Sequence, residues 1–568
     1  MQYINFKIGG QAGYGIMVTG KMFAKTCMRQ GWSVFCYTEY PSLIHGGHNT
    51  YQVYANKESA HSQKADIQTL IALDEVTIKE NTRELIHGGI IIYDSSHVTL
   101  KEKRGDVEYI DLPMIEISKE ICGSELMKDT IALGAALALY QAHFPVLEQV
   151  IKNTFHGKAE EMIKQNIEAA KRGYEYVTQK DNSKFFDIKL NKIEGVNNRI
   201  LITGNEAIGL GALAAGCKFY AAYPMTPATA ILHFLAANER EYDLVVKQAE
   251  DEISVINMAI GASFAGVRSM CATSGGGFAL MNETLGFAAI SEIPLVIVEA
   301  QRTGPATGLP TWSGQAELLY AIHASHGEFL RVVIAPGDVK ESYEATIHAF
   351  NLADKYQLPV ILLTDKYNVE SPCSVEEFDA ENVKIDRGML MTQKELDSIK
   401  DFKRYEITKT GISPRSIPGQ RNGIYQANSD EHDEYGYSTE NADMRNKMME
   451  KRYIKLEALK KELPEPKIYG NKNANKTILC WGSTKLTVLE ALKELDDVRV
   501  IHIQYIFPFP SEFIKKSIDP KSTIIIEGNQ TAQLQQLIRQ QTGIYIKKTL
   551  LKYDGRPFYP EEIIKALK

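Results

Sequence analysis

Short apolar runs of strand length alternate with helix-patterned segments along most of this chain. That alternation restricts it to layered α/β folds with largely parallel sheets. Strand-like runs stand at 3–8, 33–36, 67–72 and 89–93, then at 199–203, 217–222 and 358–364, and again at 476–481, 498–503 and 522–527. With 568 residues there is room for three or four domains. The pattern divides into an α/β region over 1–180 and a polar linker, a second α/β domain over 198–372, an irregular connector over 373–470, and a last α/β domain over 471–568. The second domain is read as opening with the strand at 199–203.

One junction in the second domain is suited to binding. The run Cys217-Lys-Phe-Tyr-Ala-Ala222 is extended in character, and Ala228 to Ala237 is helical in pattern. Between them lies Tyr223-Pro-Met-Thr-Pro227. A residue before proline is biased to extended backbone, and proline suits a first helical position. Thr226 therefore reads as an N-cap whose hydroxyl, beside free N–H groups and the positive end of a helix, suits a carboxylate. An ordinary capped helix start fits the same residues. Arg302 follows the strand-like run 294–298. Ligands in open α/β sheets collect beyond strand carboxyl ends, where a guanidinium can grip a carboxylate with two hydrogen bonds. A surface salt bridge is the plain alternative.

Three acids, Glu250, Asp251 and Glu252, open a helix whose Ile253, Ile256, Ala259 and Ile260 are expected to face a core. The helix dipole alone favours acids there, so position does not separate them. Ser274-Gly-Gly-Gly277 is a tight turn or a place of close backbone approach. At the other end of the chain, Gly9-Gly-Gln-Ala-Gly-Tyr-Gly15 between a strand and a helix reads as a phosphate cradle or as a packing turn. His432 within Ser429-Asp-Glu-His-Asp-Glu-Tyr-Gly436 repeats no ligand spacing, so this stretch is expected to be a solvated connector. The charged helix 444–463 is expected at the surface.

Net charge of −7 and a pI near 6.1 argue against nucleic acid as the main partner. No signal segment or membrane-length apolar run is evident, so a cytoplasmic protein is expected. Seven dispersed cysteines share no C-x-x-C spacing, which argues against a disulfide framework and against an iron–sulfur or zinc site in this chain. No metal site is expected.

Several motifs fall in order across residues 204–310. They are Gly204-Asn-Glu-Ala-Ile-Gly-Leu-Gly-Ala-Leu-Ala-Ala-Gly216, Tyr223-Pro-Met-Thr-Pro227, Ala249-Glu-Asp-Glu252 with Gly261-Ala-Ser-Phe-Ala-Gly266, Thr273-Ser-Gly-Gly-Gly277, and Ala300-Gln-Arg-Thr-Gly-Pro-Ala-Thr-Gly-Leu-Pro310. This series resembles the α subunit of 2-oxoacid:ferredoxin oxidoreductases, of the 2-oxoglutarate synthase type. The first region, with Gly46-Gly47 and His48-Asn-Thr50, resembles the γ subunit of the same enzymes, fused ahead of the α part. His45 stands where the family often has arginine. The middle domain resembles the pyrimidine-binding domain of thiamine diphosphate enzymes, and the last the C-terminal domain of transketolase-like enzymes.

The resemblance implies roles. Glu252 stands nine residues before Gly261, the family spacing of the glutamate that hydrogen-bonds the aminopyrimidine of thiamine diphosphate. That bond favours the imino tautomer, whose nitrogen takes the thiazolium C2 proton. Glu252 would be catalytic, with Ser274, Gly275 and Gly276 beside the cofactor and Thr226, Arg302 and Tyr223 on the substrate. The family's Gly-Asp-Gly…Asn magnesium-diphosphate motif and its cluster cysteines are missing here. The resemblance therefore implies a β subunit carrying Mg2+ and a [4Fe–4S] cluster in an (αβ)2 assembly, with coenzyme A as co-substrate and ferredoxin as electron acceptor. Two other classes remain open: a subunit of a non-oxidative thiamine-dependent 2-oxoacid decarboxylase, and a non-catalytic assembly subunit.

Overall fold

The computed structural model describes residues 3–42, 47–179, 186–194 and 199–568. His45, Gly46 and half of the expected linker (181–185 and 195–198) lie outside them. The chain divides into two compact units. The first comprises Met1–Ile202, Ser371–Glu377 and Tyr559–Lys568, and the second comprises Thr203–Glu370 and Phe378–Phe558.

The first unit is built on an eight-stranded sheet. Tyr3–Gln11 pairs parallel with Ile67–Ala72 and antiparallel with His48–Asn56, which in turn pairs antiparallel with Ser33–Glu39. Leu85–Tyr93 and Glu108–Asp111 continue the parallel side. The strand expected to open the second domain, Arg199–Ile202, belongs to this sheet instead. It pairs antiparallel with Cys373–Glu376, which also bridges to Ser33–Glu39. Sequence periodicity finds such a strand but carries no information on its partner. The core includes the wholly buried helix Lys128–Leu139. It crosses the helix Glu160–Gln179 so closely that a Cβ on Gly134 would lie 1.9 Å from Ala170 O, and one on Gly173 1.9 Å from Ile131 O.

The glycine-rich turn of this unit is filled by the chain's own side chains. Gly15 has φ 73° and precedes the helix Ile16–Arg29. A Cβ there would lie 2.0 Å from Asp129 Oδ2, which accepts a 2.7 Å hydrogen bond from Thr19 Oγ1. Lys128 Nζ sits 3.5 Å from the centre of the Tyr14 ring. An acid on the turn favours the packing alternative for these glycines over a phosphate cradle.

The second unit holds a seven-stranded sheet and a five-stranded sheet. In the larger, Val245–Gln248, Cys217–Ala222, Arg268–Thr273, Leu295–Gln301, Pro359–Asp365 and Val332–Ile334 are mutually parallel neighbours in that order. Tyr505–Phe507, from the last region of the chain, adds an antiparallel edge. In the smaller, Lys476–Trp481 is central between Val498–Ile503 and Thr523–Glu527. One apolar core runs through both, from Ile297 and Leu363 to Trp481, Ile503 and Leu534.

The segment expected as a solvated connector is packed against the domain of the larger sheet. His432 is fully buried, with Nδ1 at 3.0 Å from Asp433 O, Nε2 at 3.2 Å from Ile290 O, and its ring against Tyr405. Arg415 Nη2 donates to the buried Asp354 at 3.0 Å. The charged helix Ala442–Glu462 is likewise not a surface helix on its inner side. Lys451 and Lys455 are buried and each donates to Glu292 at 2.5 Å. Charge-rich composition hides burial when the charges pair with one another. Five of the seven free cysteines are buried. No helix among the described residues is long and apolar enough to cross a membrane.

Candidate active site

The expected site residues come from the carboxyl ends of four adjacent parallel strands. Val245–Gln248 leads to Glu252, Cys217–Ala222 to Thr226, Arg268–Thr273 to Ser274, and Leu295–Gln301 to Arg302. A parallel sheet exposes main-chain ends and helix N-termini on that edge, which is where ligands of open α/β sheets bind.

The three acids at the start of the helix Glu252–Phe264 separate clearly. Glu250 is exposed, and Asp251 caps the helix by accepting from Ser254 N at 2.7 Å. Glu252 is 3% exposed, and its Oε1 takes no hydrogen bond. Burying a carboxyl oxygen without a donor is costly, so a site of this kind is completed by a donor from a bound molecule. The oxygen lies against Gly277. A Cβ at that glycine would stand 2.4 Å from Glu252 Oε1 and 2.1 Å from Thr273 Oγ1. Of the apolar residues expected beneath Glu252, Ile256, Ala259 and Ile260 are buried, but Ile253 is 48% exposed. It sits one position past the acid, and adjacent helical residues point about 100° apart, so both cannot face inward.

Thr226 is not an N-cap. The helix begins at Thr229, with Ala228 at the cap position and no side-chain cap bond. The N–H of Ala228 is already taken by Met225 O in a turn, which places Thr-Pro before the helix rather than in its first turn. The carbonyls of this turn are held from two sides: Asn205 Nδ2 donates to Pro227 O at 2.9 Å, and Arg302 Nη1 donates to Thr226 O at 3.0 Å. Thr226 and Arg302 are thus brought together, through a main-chain oxygen. This is the one hydrogen bond of Arg302 among the described residues, which leaves most of its five N–H donors for another acceptor. Tyr223 is 39% exposed and makes no hydrogen bond to these groups among the described residues.

Ser274 caps the short helix Gly275–Leu280 in extended backbone, and its buried Oγ has no partner. The three glycines differ. Gly277 makes room for Glu252, Gly275 makes room for Glu317 (Oε1 at 2.1 Å from a Cβ), and Gly276 faces open space. The unpartnered Glu252 oxygen and the Gly276–Gly277 opening fit a flat ring that offers a hydrogen-bond donor, such as an aminopyrimidine.

Sequence reasoning missed two groups here. Asn205, 1% exposed, holds the Thr-Pro turn. Glu299 and Glu317 form a buried acid pair. Burial pushes the Glu299 carboxyl well up and the Glu317 carboxyl up to about 7, and the nearby Arg302 charge opposes both shifts. The available signal was a lone acid inside the apolar strand Leu295–Gln301.

Comparison with known proteins places the chain among relatives. The family described as "Pyruvate flavodoxin/ferredoxin oxidoreductase, thiamine diP-bdg" matches residues 210–451, and "Pyruvate ferredoxin/flavodoxin oxidoreductase" matches residues 5–176. The 2-oxoacid:ferredoxin oxidoreductase subunit alpha of a Sulfolobus species is 32% identical over 625 residues, covering 99% of this chain and 96% of that protein. The 2-oxoglutarate synthase subunit KorA of Methanocaldococcus jannaschii is 34% identical, covering 64% of this chain and 98% of its own length. Among solved structures, the 2-oxoglutarate:ferredoxin oxidoreductase from Magnetococcus marinus, with 2-oxoglutarate, coenzyme A and succinyl-CoA bound, superposes with a TM-score of 0.93 at 31% identity over the full length of both chains.

Proposed function

The chain belongs to the 2-oxoacid:ferredoxin oxidoreductases, as an alpha subunit that acts with a partner subunit, and on that premise we propose that it carries the pyrimidine-side half of a thiamine diphosphate site that oxidatively decarboxylates 2-oxoglutarate. The observation that carries this reading is the buried Glu252 carboxyl, with one oxygen unpartnered against Gly277. Bound there, thiamine diphosphate supplies the nucleophilic carbon and the electron sink that decarboxylation needs.

The chain's own residues divide the remaining work. Glu252 would hold the aminopyrimidine by a charge-assisted hydrogen bond and keep it in its proton-accepting form. Ser274 and Gly276 would let the ring approach the main chain. Arg302, anchored on Thr226 O, would grip the 1-carboxylate of the 2-oxo acid, with the Thr226 hydroxyl beside the 2-oxo group and Tyr223 at the rim. The full-length likeness to the Magnetococcus marinus enzyme and the KorA relatives support 2-oxoglutarate as the substrate. The match over residues 5–176 supports a γ-like role for the first unit.

We infer that a β subunit supplies Mg2+, the diphosphate contacts and a [4Fe–4S] cluster in an (αβ)2 assembly. Each 2-oxo acid then yields CO2, an acyl group passed to coenzyme A, and two electrons passed singly to ferredoxin. A cytoplasmic setting accords with the seven free cysteines. The test is copurification from the native source, followed by iron analysis and 2-oxoglutarate-dependent viologen reduction. An iron-bearing partner and coenzyme A-dependent turnover are expected. A colourless partner with decarboxylation but no viologen reduction would replace this reading with a non-oxidative decarboxylase.

A further inference from the structure

Three residues before Arg302, Glu299 lies on the strand Leu295–Gln301, opposite Thr273 of the neighbouring strand. It is completely buried, and neither of its oxygens takes a hydrogen bond from an N–H or O–H donor. The group within hydrogen-bonding reach is another carboxyl, that of Glu317. Glu317 is fixed in place by its own N–H, which donates to Gln301 Oε1 at 3.0 Å, and by Gly275, against which its Oε1 packs. Its Oε2 is also buried without a donor. Two carboxyls that face each other without outside donors can be satisfied only by a proton held between them.

The surroundings make that proton matter. Arg302 is the cation whose charge acts on both carboxyls, yet among the described residues it forms no ion pair with either. Its hydrogen bond goes to Thr226 O instead. Among the described residues Tyr320, on the helix that starts at Leu318, also faces the pair, and its hydroxyl accepts from Asn282 Nδ2 at 2.7 Å. On the neighbouring strand, Asp365 is occupied by Ser483, whose Oγ donates to it at 2.6 Å. With a proton between them, Glu299 and Glu317 carry at most one charge. Each proton lost adds a negative charge that acts on the Arg302 guanidinium.

We propose that Glu299 and Glu317 are a proton-sharing positioning pair that keeps Arg302 free for the carboxylate of the 2-oxo acid, so that ionisation of the pair turns Arg302 inward and weakens substrate binding. This rests on the reading of Arg302 as the substrate grip. The pair acts through Arg302.

The experiment uses the enzyme copurified with its partner subunit and follows KM for 2-oxoglutarate, KM for coenzyme A, and kcat across the pH range on either side of neutrality. In the wild type, KM for 2-oxoglutarate should rise several-fold with pH while KM for coenzyme A stays flat. Glu317→Gln, which cannot ionise, should abolish that rise, and Glu317→Asp should restore it. A difference infrared spectrum of wild type against Glu299→Gln should show the loss of a protonated-carboxyl band at neutral pH. If Glu317→Gln folds, binds substrate and keeps the wild-type pH profile, the proposal is overturned. An unchanged infrared carboxyl region overturns it independently. An Arg302→Lys enzyme run alongside separates the two levels. If it leaves KM for 2-oxoglutarate unaltered, the assignment of Arg302 itself has failed; if KM rises there but the Glu317→Gln profile is unchanged, only the pair has failed.

Discussion

Arg302 donates from Nη1 to the main-chain carbonyl oxygen of Thr226 at 3.0 Å, which joins the segments that follow the two strands flanking Arg268–Thr273 in the sheet. The guanidinium is aimed by a backbone atom, which no side-chain substitution at position 226 removes. Its remaining donors form a planar fork suited to a carboxylate.

Arg302→Lys is therefore expected to impair substrate use more than cofactor binding. Lysine keeps the charge but cannot hold Thr226 O and a carboxylate with one planar group. The loss should be about 1.5–3 kcal/mol, or roughly tenfold to more than a hundredfold in kcat/KM for 2-oxoglutarate. Parallel titrations of thiamine diphosphate should change little. A fall confined to cofactor affinity would move the carboxylate site to the partner chain.

Thr226→Val separates the hydroxyl from the carbonyl. The anchor of Arg302 survives, and no helix cap is lost because Thr226 caps nothing. A severalfold rise in KM for the 2-oxo acid at unchanged melting temperature is expected if the hydroxyl meets the substrate. Unaltered kinetics would reduce Thr226 to a main-chain support.

Gly277→Ala and Gly276→Ala should behave differently. At 277 the new methyl would fall 2.4 Å from Glu252 Oε1, so the acid must move. Overpacking of this kind costs on the order of 1–3 kcal/mol, and cofactor affinity should fall with it. At 276 nothing lies within 4 Å. Melting should then be unaffected, and only cofactor affinity should drop. Equal melting temperatures for the two variants would contradict the packing described here.

Much of this was legible in the sequence, and the gaps share a cause. Alternating strand and helix patterns located both sheets of the second unit, and motif order singled out Glu252, Arg302 and the 223–227 turn. Periodicity could not show that Arg199–Ile202 pairs within the first unit, because pairing partners are chosen by tertiary contacts. Composition misread His432, Lys451 and Lys455 as solvated, because charge-rich segments become buried when their charges find partners. Thr226 was misassigned because a cap and a turn share the same residues until the first hydrogen bond is known. Glu299 passed unnoticed as one acid in an apolar strand.

Glu292 tests the buried charges directly. Burial raises its pKa, but Lys451 and Lys455 overcome that and hold the carboxyl far below its ordinary value. A depressed carboxylate stabilises the fold at pH values above the ordinary range, and that stability is lost as strong acid protonates it. Glu292→Gln leaves two lysines without their counter-ion and should cost on the order of 3–5 kcal/mol in thermal or denaturant unfolding. A change under 1 kcal/mol would mean that the lysines find other partners.

The most direct test of the account is hydrogen–deuterium exchange at C2 of thiamine diphosphate bound to the α–β complex, compared between wild type and Glu252→Gln. Glutamine keeps the shape but cannot hold the ring in its proton-accepting form, so exchange should slow on the order of 10²–10⁴-fold while the complex stays folded and assembled. Exchange at the wild-type rate in a folded, cofactor-loaded Glu252→Gln complex would contradict the assignment and return Glu250 to consideration.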